Sequence, residues 1–447
     1  MRVQDYIGKI SWTVAEKALF LFYGVFVTFV QIRALTPEEY GLFGLLITLQ
    51  TWVFTIADGM ALQGIIQFGA ADGERKSINT YALAGSSLIA VGVPLVIALV
   101  QHLAASAGWI AGNAQFSRIA LLLPLYCLIT IPKMFTMKLL LRDVQMKHIF
   151  WVNFSWFGTM TAMTLWMILH GTFAPKGGDA LRYSGFESMV QIAFTGMAVS
   201  SVAGILAARK MLVFTRRIGQ PLMRKFLGFG TPQALLGAIG TSVRQLDVAV
   251  IQYFFGSLNV VGLYTAAKTL YRVFEQGSDA VYVILYPAAI RLVHEGNTAQ
   301  LRTVIAKAVS FAVVAAVASV VVLELGGTAL LVSVLGSKYQ AASGFFNVLV
   351  LGAVFLPFVP IGALYLAFND SRLLLLNMTL SALGGLAALV IASALMVQWA
   401  LPLGMVVFGA LHAIQNFLYA RRTIGLSIPS LLRAIPDTLN FVKSKVG

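Results

Sequence analysis

Twelve long apolar stretches run through this chain, and the basic residues between them fall mainly on one side. The stretches are 10–32, 40–65, 80–101, 117–138, 149–170, 186–208, 229–253, 261–286, 304–325, 343–367, 373–396 and 401–419. Each approaches the ~20 apolar residues that a helix needs to cross ~30 Å of hydrocarbon. Alternating strand patterns are absent, so closure as a β-barrel is disfavoured against a helical bundle. With the N-terminus inside, 22 of the 32 Lys and Arg lie in inside segments or at their mouths, including Arg75, Lys76, Arg142, Lys147, Arg421 and Arg422. Arg33, Arg118, Lys176, Arg182 and Lys338 lie outside, and five more sit within spans. Basic loops are retained on the cytoplasmic side, so both termini are predicted there. The chain is predicted to be an all-α polytopic membrane protein of about twelve transmembrane helices.

Composition enters as a limit on alternatives. Charged residues make up 11% of the chain, against roughly a quarter in soluble domains. The net charge of +15 follows from the inside-positive bias and from contact with anionic lipid, so membrane lipids are expected neighbours and nucleic acid is not. Cys127 is the only cysteine, which excludes an intramolecular disulfide and argues against a Cys-based metal site. The first span carries Glu16 and Lys17 and lacks a small-residue cleavage site, so it reads as a retained helix. No Walker, H-E-x-x-H or G-x-S-x-G pattern occurs, and the five histidines are scattered. No enzymatic activity, cofactor or metal is expected.

The basic segment 209–228, with Arg209, Lys210, Arg216, Arg217, Arg224 and Lys225, divides the spans six and six. The predicted organisation is an N-terminal six-helix bundle (1–208), a cytoplasmic linker (209–228) and a C-terminal six-helix bundle with a cytoplasmic tail (229–447). An even number of spans per half gives both the same orientation, as in a parallel repeat. A shift of 221 places Gly41-Leu42-Phe43 on Gly262-Leu263-Tyr264, Thr48 on Thr269 and Asp58 on Asp279. A shift of 225 pairs Pro132 with Pro357 and Lys147 with Arg372.

Four segments resemble a known family. They are QIRALTPEEYGLFG (31–44), LDVAVIQYFFGSLNVVGLYTAAKTL (246–270), GSKYQAASGFFNVLVLG (336–352) and ALYLAFNDSR (363–372). Together they resemble the polysaccharide-biosynthesis, O-antigen-type flippases of the multidrug/oligosaccharidyl-lipid/polysaccharide exporter superfamily, which also holds multidrug/cation antiporters and lipid II flippases. The resemblance implies two six-helix bundles around a cavity, and outward movement of a polyprenyl-pyrophosphate-linked oligosaccharide across a bacterial inner membrane. It further implies glycosyltransferases and a polysaccharide polymerase as neighbours; H⁺ or Na⁺ is expected as a coupling ion because carboxylates inside spans exchange protons or bind Na⁺.

Charges inside the spans are the candidate chemistry. In the eighth span Tyr264, Lys268, Tyr271, Arg272, Glu275, Asp279, Tyr282 and Tyr286 fall within an arc of about 100°. Facing lipid, each of the four ionisable residues would cost ~2.5–3.5 kcal/mol, whereas an apolar residue returns only ~0.3–0.6 kcal/mol. The stripe must face protein or water. One reading is an internal ladder, Lys268 and Arg272 against Glu275 and Asp279. The other is a cavity wall where cations meet an anionic headgroup, with tyrosines against sugar rings.

Candidate headgroup contacts are Lys268, Arg272, Arg244 and Lys17, in that order. Arg244 and Asp247 stand three apart and are expected to neutralise each other, and Lys17 to snorkel, to pair with Glu16 or to line the cavity. Asp58, Asp279, Glu275 and Asp247 are candidates for ion coupling or for holding those cations. Lys133 is expected to snorkel inward, and His412 to make a hydrogen-bonded helix contact near Gln415 and Asn416. A cation antiporter of the same fold is the alternative, and it would favour an acidic cavity. A polysaccharide polymerase would favour a large external loop rich in Arg and His, and the external loops here are short.

Overall fold

A computed structural model describes residues 12, 15, 16, 18–20, 22–69, 74–107, 114–170, 184–216 and 219–436. Among these residues the regular structure is helical throughout. The described residues of the twelve predicted spans fall on helices, the first span being described continuously only from residue 22. By length and composition eight described helices are able to cross a membrane, or nine if a broken pair counts as one span. The chain divides into two compact units, Met1–Thr241 and Ser242–Gly447; the division falls inside the seventh span.

The first unit holds α1 (Thr28–Ala34, preceded by a π turn Tyr23–Val27), α2 (Pro37–Phe68), α3 (Arg75–Ser106), α4 (Ala114–Arg142), α5 (Met146–Leu169), α6 (Ser184–Ala208) and most of α7 (Gln220–Gln245). The family-like run around Thr36 has a structural explanation. Thr36 accepts from Glu39 N, Glu39 Oε2 accepts from Thr36 N, and Pro37 occupies the first turn, a capping box that satisfies otherwise orphaned donors. Glu39 Oε1 also accepts from Gly185 N at 2.8 Å, tying the start of α6 to the start of α2. Helix α2 is not uniform: Asp58–Leu62 forms a π turn. A Cβ on Gly59 would lie 2.6 Å from Ala234 N, so α2 and α7 approach backbone to backbone there, as small residues allow between membrane helices.

The second unit holds α8 (Asp247–Phe255), α9 (Leu258–His294), α10 (Thr298–Leu335), α11 (Ala342–Ala367), α12 (Ser371–Ala394) and α13 (Leu403–Ile424). Gly256, with φ of 59°, turns the chain between α8 and α9, a backbone conformation that glycine adopts without penalty. Helix α9 and helix α10 have 37 and 38 residues. Each is about 56 Å long at 1.5 Å per residue, well beyond the hydrocarbon thickness. Hydropathy had trimmed them to 261–286 and 304–325, because charge ends an apolar run but does not end a helix.

In α11, Pro357 and Pro360 lack N–H donors, and Ala353–Gly362 winds as a 3₁₀ segment. Its carbonyls are taken by neighbouring helices: Ser278 Oγ donates to Leu356 O at 2.9 Å and Asn416 Nδ2 to Phe358 O at 3.2 Å. The turn after α11 uses Asn369 at φ 62°. Tyr419 donates to the Asp370 carboxylate and stacks on Tyr365 at 3.8 Å between ring centres.

Leu88, Leu121 and Leu325 are 76%, 77% and 86% exposed. Large apolar groups left uncovered along long helices are what a lipid-facing surface requires, and the protein is a multi-pass membrane protein. Two expectations fail. Lys133 does not snorkel: it is buried, with its ammonium 3.2 Å from the centre of the Trp156 ring, a cation–π contact that replaces water. His412 stacks on Phe408, its Nδ1 has no hydrogen-bond partner, and the Gln415 side chain accepts from Ser381 instead.

Candidate functional site

The site begins with a break in a helix. Leu246 interrupts the run from α7 to α8. In an unbroken helix the Val248 N–H would donate to Arg244 O; here it donates to Asp247 Oδ1 at 2.8 Å. The Arg244 carbonyl left over accepts from Lys268 Nζ of α9. An irregular backbone at membrane depth is tolerated only where such groups find partners.

Lys268 also lies 2.7 Å and 2.8 Å from the two Asp247 carboxylate oxygens, and Tyr264 OH donates to Oδ2 at 2.6 Å. Asp247 and Lys268 are 1% and 4% exposed. Asp247 therefore takes three side-chain hydrogen bonds and one from the backbone, as a buried ion pair must if desolvation is to be offset. Asp247 does not neutralise Arg244. The guanidinium of Arg244 turns instead to Glu275, with Nε 3.4 Å from Oε1, and lies 5.8 Å from the centre of the Phe408 ring.

The charged stripe on α9 thus has two halves. Tyr264, Lys268 and Tyr271 are buried. One turn on, Arg272 and Asp279 are exposed and Glu275 is partly buried. Among the described residues neither Arg272 nor Asp279 has an ion-pair partner. Tyr282 and Tyr286 are half-buried and stack on each other at 5.8 Å. The internal ladder of the sequence reading is not formed, because Lys268 is claimed by Asp247 and Glu275 by Arg244.

In the first unit Asp58 sits at the start of the π turn in α2. Lys138 Nζ of α4 is 2.7 Å from Oδ1, and Gln63 donates to Oδ2 at 2.7 Å. The threonine face beside it is self-satisfied, Thr51 and Thr55 donating to their own helix at Ile47 O and Thr51 O. Glu16 is buried and accepts from Asn153 of α5 at 2.9 Å. Lys17 lies outside the described residues. Lys138 is the partner that sequence reasoning missed: it is the last position of the fourth predicted span, and α4 continues a full turn beyond it to Arg142.

Comparison with known proteins supports the membrane fold over nearly the whole chain. A lipid II flippase, MurJ, in an inward-closed conformation is similar with a TM-score of 0.69 at 14% identity, covering 96% of this chain and 91% of that one. An inward-facing multidrug resistance MATE family transporter of the MOP superfamily gives 0.68 at 16% identity, covering 91% and 94%. A MOP-superfamily transporter from Pyrococcus furiosus, whose binding pocket is described as reversed in polarity, gives 0.58 at 15% identity, covering 94% of each. No curated protein sequence matches. The family model described as polysaccharide biosynthesis protein matches residues 30–344, most of the chain, and the chain belongs to that family.

Proposed function

We propose that this protein is a flippase for a polyprenyl-pyrophosphate-linked oligosaccharide, the repeat unit of a surface polysaccharide. On this reading it works in a bacterial cytoplasmic membrane with both termini cytoplasmic, carries the headgroup from the cytoplasmic to the outer leaflet, and alters no covalent bond. The observation that supports it most is Arg272, a guanidinium exposed and unpaired among the described residues, on a helix of a polysaccharide-biosynthesis family member. Lipid cannot be its surroundings at ~2.5–3.5 kcal/mol, so it faces water, where an anionic group is its natural ligand.

The physical problem is the headgroup. Each sugar hydroxyl entering hydrocarbon without a partner costs several kcal/mol, while the polyprenyl tail is at home there. Arg272 binds the pyrophosphate through paired N–H donors, which guanidinium offers in a fixed fork. Arg244, held by Glu275 at a loose 3.4 Å, is the second contact. When pyrophosphate draws Arg244 away, the Glu275 carboxylate is released and takes up H⁺ or Na⁺; Asp279 and Asp58 are the other coupling candidates. Lys268, already engaged by Asp247, acts as a positioning residue, and Lys17 is a further candidate contact. Alternating access then opens the site to one side and afterwards to the other.

The test is reconstitution. Proteoliposomes carrying a fluorescent lipid-linked oligosaccharide should show protein-dependent loss of protection from an external glycosidase. Arg272→Ala should reduce the rate at least ten-fold at equal incorporation, with Arg272→Lys intermediate. Wild-type protein that leaves this lipid protected but drives proton-dependent efflux of a cationic dye would establish the antiporter instead.

A further inference from the structure

A second charged feature lies in the second unit, where α10 begins and α13 ends. A cavity of about 430 Å³ is lined by Arg302, Thr303, Lys307, Ser427, Ser430 and Arg433, with no carboxylate among its described lining residues. Local sequence builds it. Gly425 ends α13 with φ of 69°, and a Cβ there would lie 3.4 Å from Arg302 Nη1. Ser427 then opens a short helix, 428–436. Ser427 N donates to Ser430 Oγ at 3.1 Å and Ser430 N to Ser427 Oγ at 3.4 Å, a reciprocal cap of the kind that starts helices.

One face of that short helix is docked. Leu426, Leu431 and Ala434 join the hydrophobic cluster around α10 and α13, and Ser310 Oγ donates to Leu431 O at 2.8 Å. The other face is left uncovered: Ile428 and Leu432, four residues apart, are each 60% exposed. Directly beyond Lys307, residues 308–323 of α10 carry no charge, so the cavity sits where the hydrocarbon-compatible part of that helix starts. Cations at such a boundary beside an uncovered apolar pair form the pattern of a helix lying in the lipid headgroup layer.

We propose that this pocket binds the phosphate of an anionic phospholipid from the surrounding leaflet. Arg302 and Arg433 take the phosphate oxygens, the hydroxyls of Thr303, Ser427 and Ser430 surround them, and Ile428 and Leu432 lie against the acyl chains. Guanidinium and ammonium groups suit a phosphate diester, and basic pockets at the membrane surface select anionic headgroups. Free phosphate offers the same oxygens but makes no use of the apolar pair. The proposal is independent of what the protein transports.

The experiment titrates short-chain phosphatidylglycerol, phosphatidylcholine and inorganic phosphate onto the purified full-length protein and reads occupancy by native mass spectrometry. Phosphatidylglycerol should bind at least ten-fold tighter than phosphatidylcholine. Arg302→Ala with Arg433→Ala should weaken it at least five-fold, and Arg302→Lys with Arg433→Lys should keep most of it. Arg421→Ala with Arg422→Ala removes the same charge from exposed positions outside the pocket and should change affinity less than two-fold. Ile428→Ser with Leu432→Ser should weaken phosphatidylglycerol and leave phosphate unaffected. Equal losses in the two alanine pairs would overturn the site in favour of diffuse attraction. Millimolar phosphate displacing the lipid, with the serine pair without effect, would overturn the lipid assignment. Should the alanine pair at 302 and 433 not fold, the lysine and serine pairs decide the question.

Discussion

An aspartate–lysine pair lies inside the helices of each unit, Asp58–Lys138 and Asp247–Lys268, and the two differ in how completely they are closed. Asp247 and Lys268 have side chains 1% and 5% exposed, and Tyr264 and a backbone N–H complete the carboxylate's partners. Asp58 and Lys138 are 22% and 16% exposed, with Gln63 as the further donor. Both aspartates stand at helix irregularities, Asp247 at a break and Asp58 at the head of a π turn, where backbone groups need side-chain help. The repeat does not relate the pairs. The shift of 221 carries Asp247 back to Phe26 and Lys268 to Ile47, and the shift of 225 carries Lys138 forward to Ala363. The two units therefore neutralise buried charge at positions that these sequence shifts do not relate. The sealed pair acts as a structural anchor, and the open one leaves both side chains partly exposed.

Removing one member of each pair should separate the two most clearly. Lys268→Met leaves Asp247 buried and uncompensated, which should cost about 3–5 kcal/mol and be read as a lowered Tm in detergent. Adding Asp247→Asn should restore a large part of that loss, and a double variant as damaged as the single one would contradict the anchor. Lys138→Met in the open pair should cost only about 1–2 kcal/mol, between the exposed and buried limits. Asp58→Asn should leave stability nearly unchanged while reducing any dependence of transport on an ion gradient; identical gradient dependence in the variant would remove Asp58 from coupling.

The smallest effect is expected outside the spans. The Arg142 guanidinium donates to Asp143 at 2.8 Å and 3.2 Å and holds its carboxyl below the usual carboxylate range. A folded value below the unfolded one means the pair contributes fully at neutral pH. The contribution begins to fade only below the ordinary aspartate value of about 3.9, as pH drops through the folded value. Asp143→Asn should therefore shift acid unfolding below about pH 4 and leave thermal unfolding between neutral and mildly acidic pH within ~1 kcal/mol of wild type.

How much of this could be read from residue order depends on range. The spans and the arc of eight residues on α9 are local, set by apolar run length and helical period; the arc lies on one continuous helix, while the seventh span breaks at Leu246 and the first is described continuously only from residue 22. The segment around Thr36 was recognised as a family motif, and the structure shows its capping role. What escaped was pairing at a distance. Lys138 meets Asp58 from 80 positions away, and nothing near either residue announces the other. The division of the α9 stripe into a buried and an exposed half depends on α8, which breaks at Leu246 without a proline or glycine to mark it. For the same reason Arg244 and Asp247, three apart in sequence, take different partners.

The α9 stripe changes character within one turn, buried at Lys268 and exposed at Arg272 and Asp279, and on the proposed function its exposed half faces water. Thiol accessibility measures this directly, since the single native cysteine, Cys127, is buried. In a Cys127→Ala background reconstituted in lipid, Arg272→Cys and Asp279→Cys should react readily with a charged, membrane-impermeant thiol reagent, and Lys268→Cys should not. Reaction of positions 272 and 279 only with a lipid-soluble maleimide, or equal reactivity at all three positions, would contradict the account.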